Sequence, residues 1–173
     1  STTDINAPLD DATRAAMRLL GAHPDLRILR RTGDTAALAV PAIDNPATRI
    51  GIVLDTETAG LDVTRDAIIE LAIQRFRFDD RGRILEIGAP RTWLQDPGRP
   101  LPALITQITG LTDADLEGQV IDEVAATALL VSADVVIAHN ARFDAPFIEK
   151  RLPGAAGLPW ACTLHDLDWR AAG

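Results

Sequence analysis

The sequence predicts one α/β unit built on a mixed β-sheet, and three observations carry that expectation. Three strand-like segments follow one another between residues 49 and 94, and helical and strand patterns then alternate from 102 to 152. The 173 residues are 47% hydrophobic and 24% charged, a balance that fits one globular domain with a sizeable core.

Residues 10–20 (DDATRAAMRLL) open with acidic side chains, carry apolar residues at helical spacing and meet Gly21 where a C-terminal cap belongs, so a short helix is expected. Residues 25–31 and 35–40 read as strands around a Thr32-Gly33-Asp34 turn. The segment 41–49, with two prolines, reads as a linker, which divides the chain into an N-terminal extension (1–49) and a main unit (50–173). In the main unit, 49–57 is an apolar strand ending in carboxylates, 67–78 is a longer strand, and Asp79–Gly82 is a tight turn. Residues 83–94 are expected to return as one antiparallel strand. A short helix over 102–109 closes at Gly110, and Thr112 with Asp115 has the spacing of an N-terminal capping box. Helix 121–132, buried strand 134–139 and helix 142–152 complete the pattern.

Composition excludes several classes of function. No run of about 18 apolar residues is present and no export leader opens the sequence, so the expectation is a cytoplasmic protein without a membrane span. One cysteine, Cys162, rules out an internal disulfide or a cysteine-rich zinc site. Two serines and three histidines leave most Ser/His hydrolase schemes short of parts. The net charge of −8 disfavours broad contact with a duplex, which needs basic side chains along the phosphates. A cation-bridged contact at one strand end is compatible with it.

Two places concentrate chemistry. Alternate side chains of a strand share a face, so Val53, Asp55 and Glu57 point one way and Ile52 and Leu54 the other. The two carboxylates sit on α-carbons about 6.5–7 Å apart, within reach of one hard divalent cation; the bland alternative is a solvated strand end. The second place is Ala138-His139-Asn140-Ala141-Arg142-Phe143-Asp144, a buried strand passing through a polar turn into a helix. Asp144 falls in the first helical turn, where the helix dipole favours negative charge; the bland alternative is an ordinary helix-start Asp.

The segments DTETAGL (55–61) and AHNARFD (138–144) resemble the first two motifs of the DnaQ-like, DEDD-type 3′→5′ exonucleases. AIIEL (67–71) and ITGLTDADL (108–116) are similar to that family's intervening pattern, and the four landmarks occur in the expected order. The resemblance spans roughly residues 50–165 and is of the polymerase III epsilon-like kind. It implies an RNase H-like fold with a mixed five-stranded sheet whose first three strands are antiparallel. It also implies two-metal hydrolysis of terminal phosphodiesters of DNA or RNA, with two Mg²⁺ or Mn²⁺ ions. Asp55 would bridge both ions, Glu57 would hold the ion carrying the attacking water, and Asp144 would serve the second. Thr58, Leu61, Asn140 and Phe143 match substrate-contacting positions, with plain packing as the alternative for Leu61 and Phe143. The implied partner is a nucleic-acid 3′ end, alongside a DNA polymerase or a second copy of the chain.

The sequence departs from that pattern in one major way. The family's third motif, a His followed five positions later by an Asp, supplies a general base and a fourth carboxylate, and no such pair follows WACTLHDLDW. His139 and Asp144 have the spacing but belong to the second motif, and His165 and Asp166 are adjacent. The expectation is a C-terminally incomplete exonuclease domain; the alternative is a binding module for nucleic-acid ends that lacks turnover. Ala59 also stands where the family carries Thr, which removes a hydroxyl near the bound 3′ end.

Overall fold

The structure, a computed structural model, describes residues 10–22 and 47–171. The strands expected at 25–31 and 35–40 lie outside the described residues. Helix α1 (Asp11–Gly21) starts as anticipated, with the Asp10 carboxylate accepting the Thr13 N–H at 2.7 Å. It runs through Gly21, and its C-cap is Ala22.

The sheet is built around strand β1 (Thr48–Thr58), an 11-residue segment rich in β-branched residues. Its antiparallel neighbour β2 (Ile68–Asp79) pairs in a register that sets Gly51 opposite Phe76 and Glu57 opposite Glu70. The missing Cβ of Gly51 leaves the space that the Phe76 ring fills. A turn with Gly82 at φ 75° leads back toward β2.

Here the single return strand expected over 83–94 is corrected. It is two short strands, β3 (Ile84–Ile87) and β4 (Arg91–Leu94), each pairing antiparallel with a different stretch of β2. The break falls at Gly88-Ala89-Pro90. Gly88 still donates to the Arg75 carbonyl at 2.8 Å, but Pro90 has no N–H to continue the ladder. The sheet therefore has six strands, with β3 and β4 sharing one edge of β2, so that the five strand positions of the expected fold are kept.

The connection to the next strand is helical. Helix α2 (Ala103–Thr109) closes on Gly110 at φ 78°, and α3 (Asp113–Leu116) starts with the full capping box of Thr112 and Asp115. Helix α4 (Glu123–Val131) is capped by Asp122 and precedes the buried strand β5 (Val135–Ala138). Helix α5 (Ala141–Arg151) follows after a two-residue turn, and strand β6 (Trp160–Cys162) adds in parallel beside β5. The strand order is β3-β2-β1-β5-β6, with β4 paired to β2.

The principal core joins Ile52 and Leu54 of β1 and Leu71 and Ile73 of β2 to Ala126 and Leu130 of α4 and Phe147 and Ile148 of α5. A smaller cluster of Ala59, Ile69 and Leu116 is packed by Ile105 of α2. One face of β1 is thus apolar and covered, while Val53 and Asp55 on the other are exposed. The strand's alternation alone dictates this split.

Candidate active site

The topology opens a notch at the carboxyl ends of β1 and β5. These strands are parallel neighbours only over Gly51–Val53 and Val135–Ile137. Beyond Val53, β1 continues five residues without β5 at its side, and the chain leaving β5 turns into α5 at that point. Asn140 makes the turn in the left-handed conformation, φ 69° and ψ 50°, a region that asparagine tolerates better than most residues. The result brings the start of α5 to the end of β1 that carries the carboxylates.

Asp55 and Glu57 lie on the uncovered face of β1, Asp55 exposed and Glu57 half-buried. Asp144, in the first turn of α5, is 2% exposed and its Oδ1 accepts the Thr56 hydroxyl at 2.7 Å. Thr56 faces the covered side of the same strand, so it ties the helix to the segment between the two strand carboxylates. Burial pushes the Glu57 carboxyl up from the usual range, and the charges of Asp55, Glu70 and Asp144 push it further. Burial likewise raises Asp144; the Thr56 hydroxyl works against that shift and the Asp55 charge adds to it. The three expected carboxylates therefore feel one another, although Asp55 and Asp144 stand 89 positions apart in the sequence.

No basic side chain among the described residues forms an ion pair with any of these groups; the ion pairs are Arg14–Asp11, Arg65–Asp62, Arg77–Glu86, Arg83–Asp79, Arg99–Asp66 and Arg151–Glu123. Uncompensated oxygen donors of this type fit a hard divalent cation. As placed, however, no three Asp, Glu, His or Cys side chains among the described residues are gathered closely enough to hold a metal, and one oxygen of Asp144 is already taken by Thr56.

The remaining expected positions differ in surroundings. Thr58 is buried and its hydroxyl donates to the Gly60 carbonyl at 2.6 Å, shaping the bend after β1. Leu61 is 83% exposed, which removes core packing as its role. Phe143 is half-buried, packed on the core and stacked at a tilt on Phe147 with ring centroids 5.0 Å apart. Asn140 makes no side-chain cap bond to α5. The His139 ring, exposed in the turn after β5, is engaged with the Thr163 hydroxyl at 3.0 Å.

Sequence reasoning left two residues without a role that the structure gives one. Glu70 sits directly across from Glu57 in the β1–β2 register, which only the strand pairing reveals. Thr56 lies inside the DTE run, but its bond to a residue 88 positions away has no sequence signature.

The sequence profile of the exonuclease family typified by RNase T matches residues 52–156, more than half of the chain. The chain belongs to that exonuclease family. The match runs from β1 to the turn after α5 and so contains all three carboxylates. Among its relatives, this exonuclease-family chain is 35% identical over 99 residues to the PolC-type DNA polymerase III of Bacillus subtilis, covering 56% of this chain and 6% of that protein. It is 34% identical over 110 residues to the PolC-type enzyme of Streptococcus suis, covering 62% and 7%. The chain thus spans only a small fraction of the length of these relatives. Among solved structures it is similar to the metal-free form of the E. coli ExoI–ssDNA complex, with a TM-score of 0.51, 19% identity, and 67% of this chain and 28% of that chain covered. A product-bound exonuclease I structure aligns with the same TM-score and identity, covering 66% and 30%. Those likenesses bear out the RNase H-like exonuclease fold.

Proposed function

We propose that this chain is a divalent-metal-dependent 3′→5′ exonuclease domain acting on single-stranded DNA ends, with Asp55, Glu57 and Asp144 as its metal-holding and catalytic residues. The observation that carries the reading is the place where β1 outruns β5: Asp55 and Glu57 on the strand and Asp144 on the helix tied to it carry charge of one sign, burial and mutual repulsion raise two of them, and no basic side chain among the described residues pairs with them. Single-stranded DNA is the substrate named for the similar solved structures, and polymerase III the assembly named for the relatives.

Bound Mg²⁺ or Mn²⁺ supplies charge neutralisation for the phosphate and a more acidic attacking water. The chain's own residues do the rest. Asp55 and Glu57, on a strand paired along its length with β2, hold their oxygens at a fixed spacing. Thr56 holds Asp144 against that strand through its hydroxyl. Leu61, exposed after the Gly60 bend, offers an apolar surface for the terminal base and ribose, and Thr58 holds the bend that presents it. Phe143 and Asn140 stand at the start of α5, where the terminal nucleotide would lie.

The test is hydrolysis of a 5′-labelled single-stranded oligonucleotide with Mg²⁺ or Mn²⁺. Stepwise shortening from the 3′ end that stops with EDTA and in Asp55→Ala supports the proposal; trimming by Asp55→Ala at the wild-type rate refutes the site assignment. Circular single strands must survive, because a nuclease acting within strands would cut them.

A second reading is a module that holds 3′ ends without turnover. It is favoured by the absence of a formed three-ligand group among the described residues and by the engagement of His139 with Thr163. Tight binding of a free 3′ end with no product under any divalent metal would select it.

A further inference from the structure

The 173 residues contain sixteen arginines and one lysine, Lys150. That ammonium lies in the last turn of α5 and donates to two backbone carbonyls of one loop, Val63 at 2.6 Å and Thr64 at 3.0 Å. An ammonium is a compact donor with three protons, suited to two converging carbonyl oxygens in a way a planar guanidinium is not. The loop it grips follows β1 immediately and carries Leu61 two residues before the first gripped carbonyl.

The same loop is fastened internally. The Asp66 carboxylate accepts the Asp62 N–H at 2.8 Å and pairs with Arg99, and it occupies the space where a side chain on Gly60 would have to go. Asp62 accepts both the N–H and the hydroxyl of Thr64, and these bonds hold its carboxyl down at about 2. The loop is therefore a stiff unit that is held to α5 in two ways: Val63 packs on the core that Phe147 and Ile148 help build, and Lys150 supplies the polar tie. Six residues along that helix from Lys150, a rise of about 9 Å, is Asp144.

We propose that Lys150 is a positioning residue for substrate: by pinning the Gly60–Asp66 loop to the helix that bears Asp144, it sets Leu61 at a fixed place relative to the carboxylates, where the terminal nucleotide must fit. The inference rests on the exonuclease reading above and assigns a determinant of 3′-end binding within it. Lys150 touches neither substrate nor metal in this scheme.

The experiment compares wild type, Lys150→Met and Lys150→Arg. It measures KM and kcat on a single-stranded oligonucleotide, affinity for that oligonucleotide with a free or a phosphorylated 3′ end, and amide exchange over residues 60–66. Lys150→Met is expected to speed exchange in the loop, raise KM about ten- to a hundred-fold with kcat changed by no more than about threefold, and erase the preference for a free 3′ end. Lys150→Arg, which keeps charge and donors, is expected to recover a substantial part of that affinity. A Lys150→Met protein with wild-type KM and end preference overturns this inference alone, as does one whose kcat falls while KM stays put. A wild-type chain that neither trims nor prefers a free 3′ end overturns the functional reading, and the inference falls with it.

Discussion

Replacing Thr56 with valine keeps the shape of the side chain and removes the hydroxyl that donates to Asp144. Both residues are buried, at 8% and 2% exposure, so water does not readily substitute for the lost partner. A hydrogen bond to a charged group contributes about 1.5–3 kcal/mol, and a buried acceptor left without its donor carries its desolvation cost in addition. For a domain of this size the expected loss of about 1.5–3 kcal/mol lowers Tm by roughly 3–12 °C. The dependence on pH has a definite sign. Asp144 and Glu57 are both raised in the folded protein, so between the unfolded and folded values the native state holds more protons than the unfolded one. The contribution of these two groups to the stability of the metal-free wild type therefore falls as pH rises through that window and is least above it. The Thr56 hydroxyl favours the ionised Asp144, so Thr56→Val raises that group further and makes the total fall larger. Urea unfolding followed by circular dichroism in EDTA, at pH 7.5 and near pH 5, measures both quantities. Equal stability of the two proteins at pH 7.5, or a variant penalised more at pH 5 than at pH 7.5, would refute the assignment of this bond and its charge state.

Three further outcomes follow from other contacts. Gly51→Ala places a methyl group inside the Phe76 ring across the β1–β2 pairing, and overpacking of this kind costs about 1–3 kcal/mol, readable as a lower thermal midpoint with unchanged far-ultraviolet dichroism. Glu70→Gln removes the charge directly opposite Glu57; like charges so placed destabilise by about 0.2–1 kcal/mol, so in EDTA at low salt the variant should melt about 0.4–4 °C higher, with the gain shrinking in 0.5 M salt as screening grows (roughly 4 Å Debye length). A midpoint that does not move would mean the two carboxylates are better solvated than their pairing implies. Thr112→Ala breaks the capping box of α3 and should cost about 0.5–2 kcal/mol, with faster amide exchange confined to residues 113–118.

How much of the site was legible in the sequence differs by residue. Asp55 and Glu57 were readable as a pair because strand alternation is a local rule, and the exposure of Val53 and Asp55 against the burial of Ile52 and Leu54 follows it. The Thr112–Asp115 box and the Gly110 closure were readable for the same reason, since caps involve residues three or four apart. The division of 83–94 into β3 and β4 was harder, because Pro90 signals a missing donor without saying whether the strand resumes beyond it. Leu61 could be read as core or as surface from its type alone, and only the bend fixed by Thr58 and Asp66 turned it outward.

By itself the sequence determined the kinds of group present and the local frames that hold them: an acidic strand end, an acidic helix start, and their order along the chain. The tertiary structure decided what no local rule reaches. β1 outruns its parallel partner β5, so α5 enters beside the carboxylates; Thr56 then captures Asp144, Glu70 is set against Glu57, and the single lysine closes on a loop 86 residues upstream. Each of these pairings depends on sheet register and helix placement, which are set by burial of the whole core rather than by neighbours in the chain.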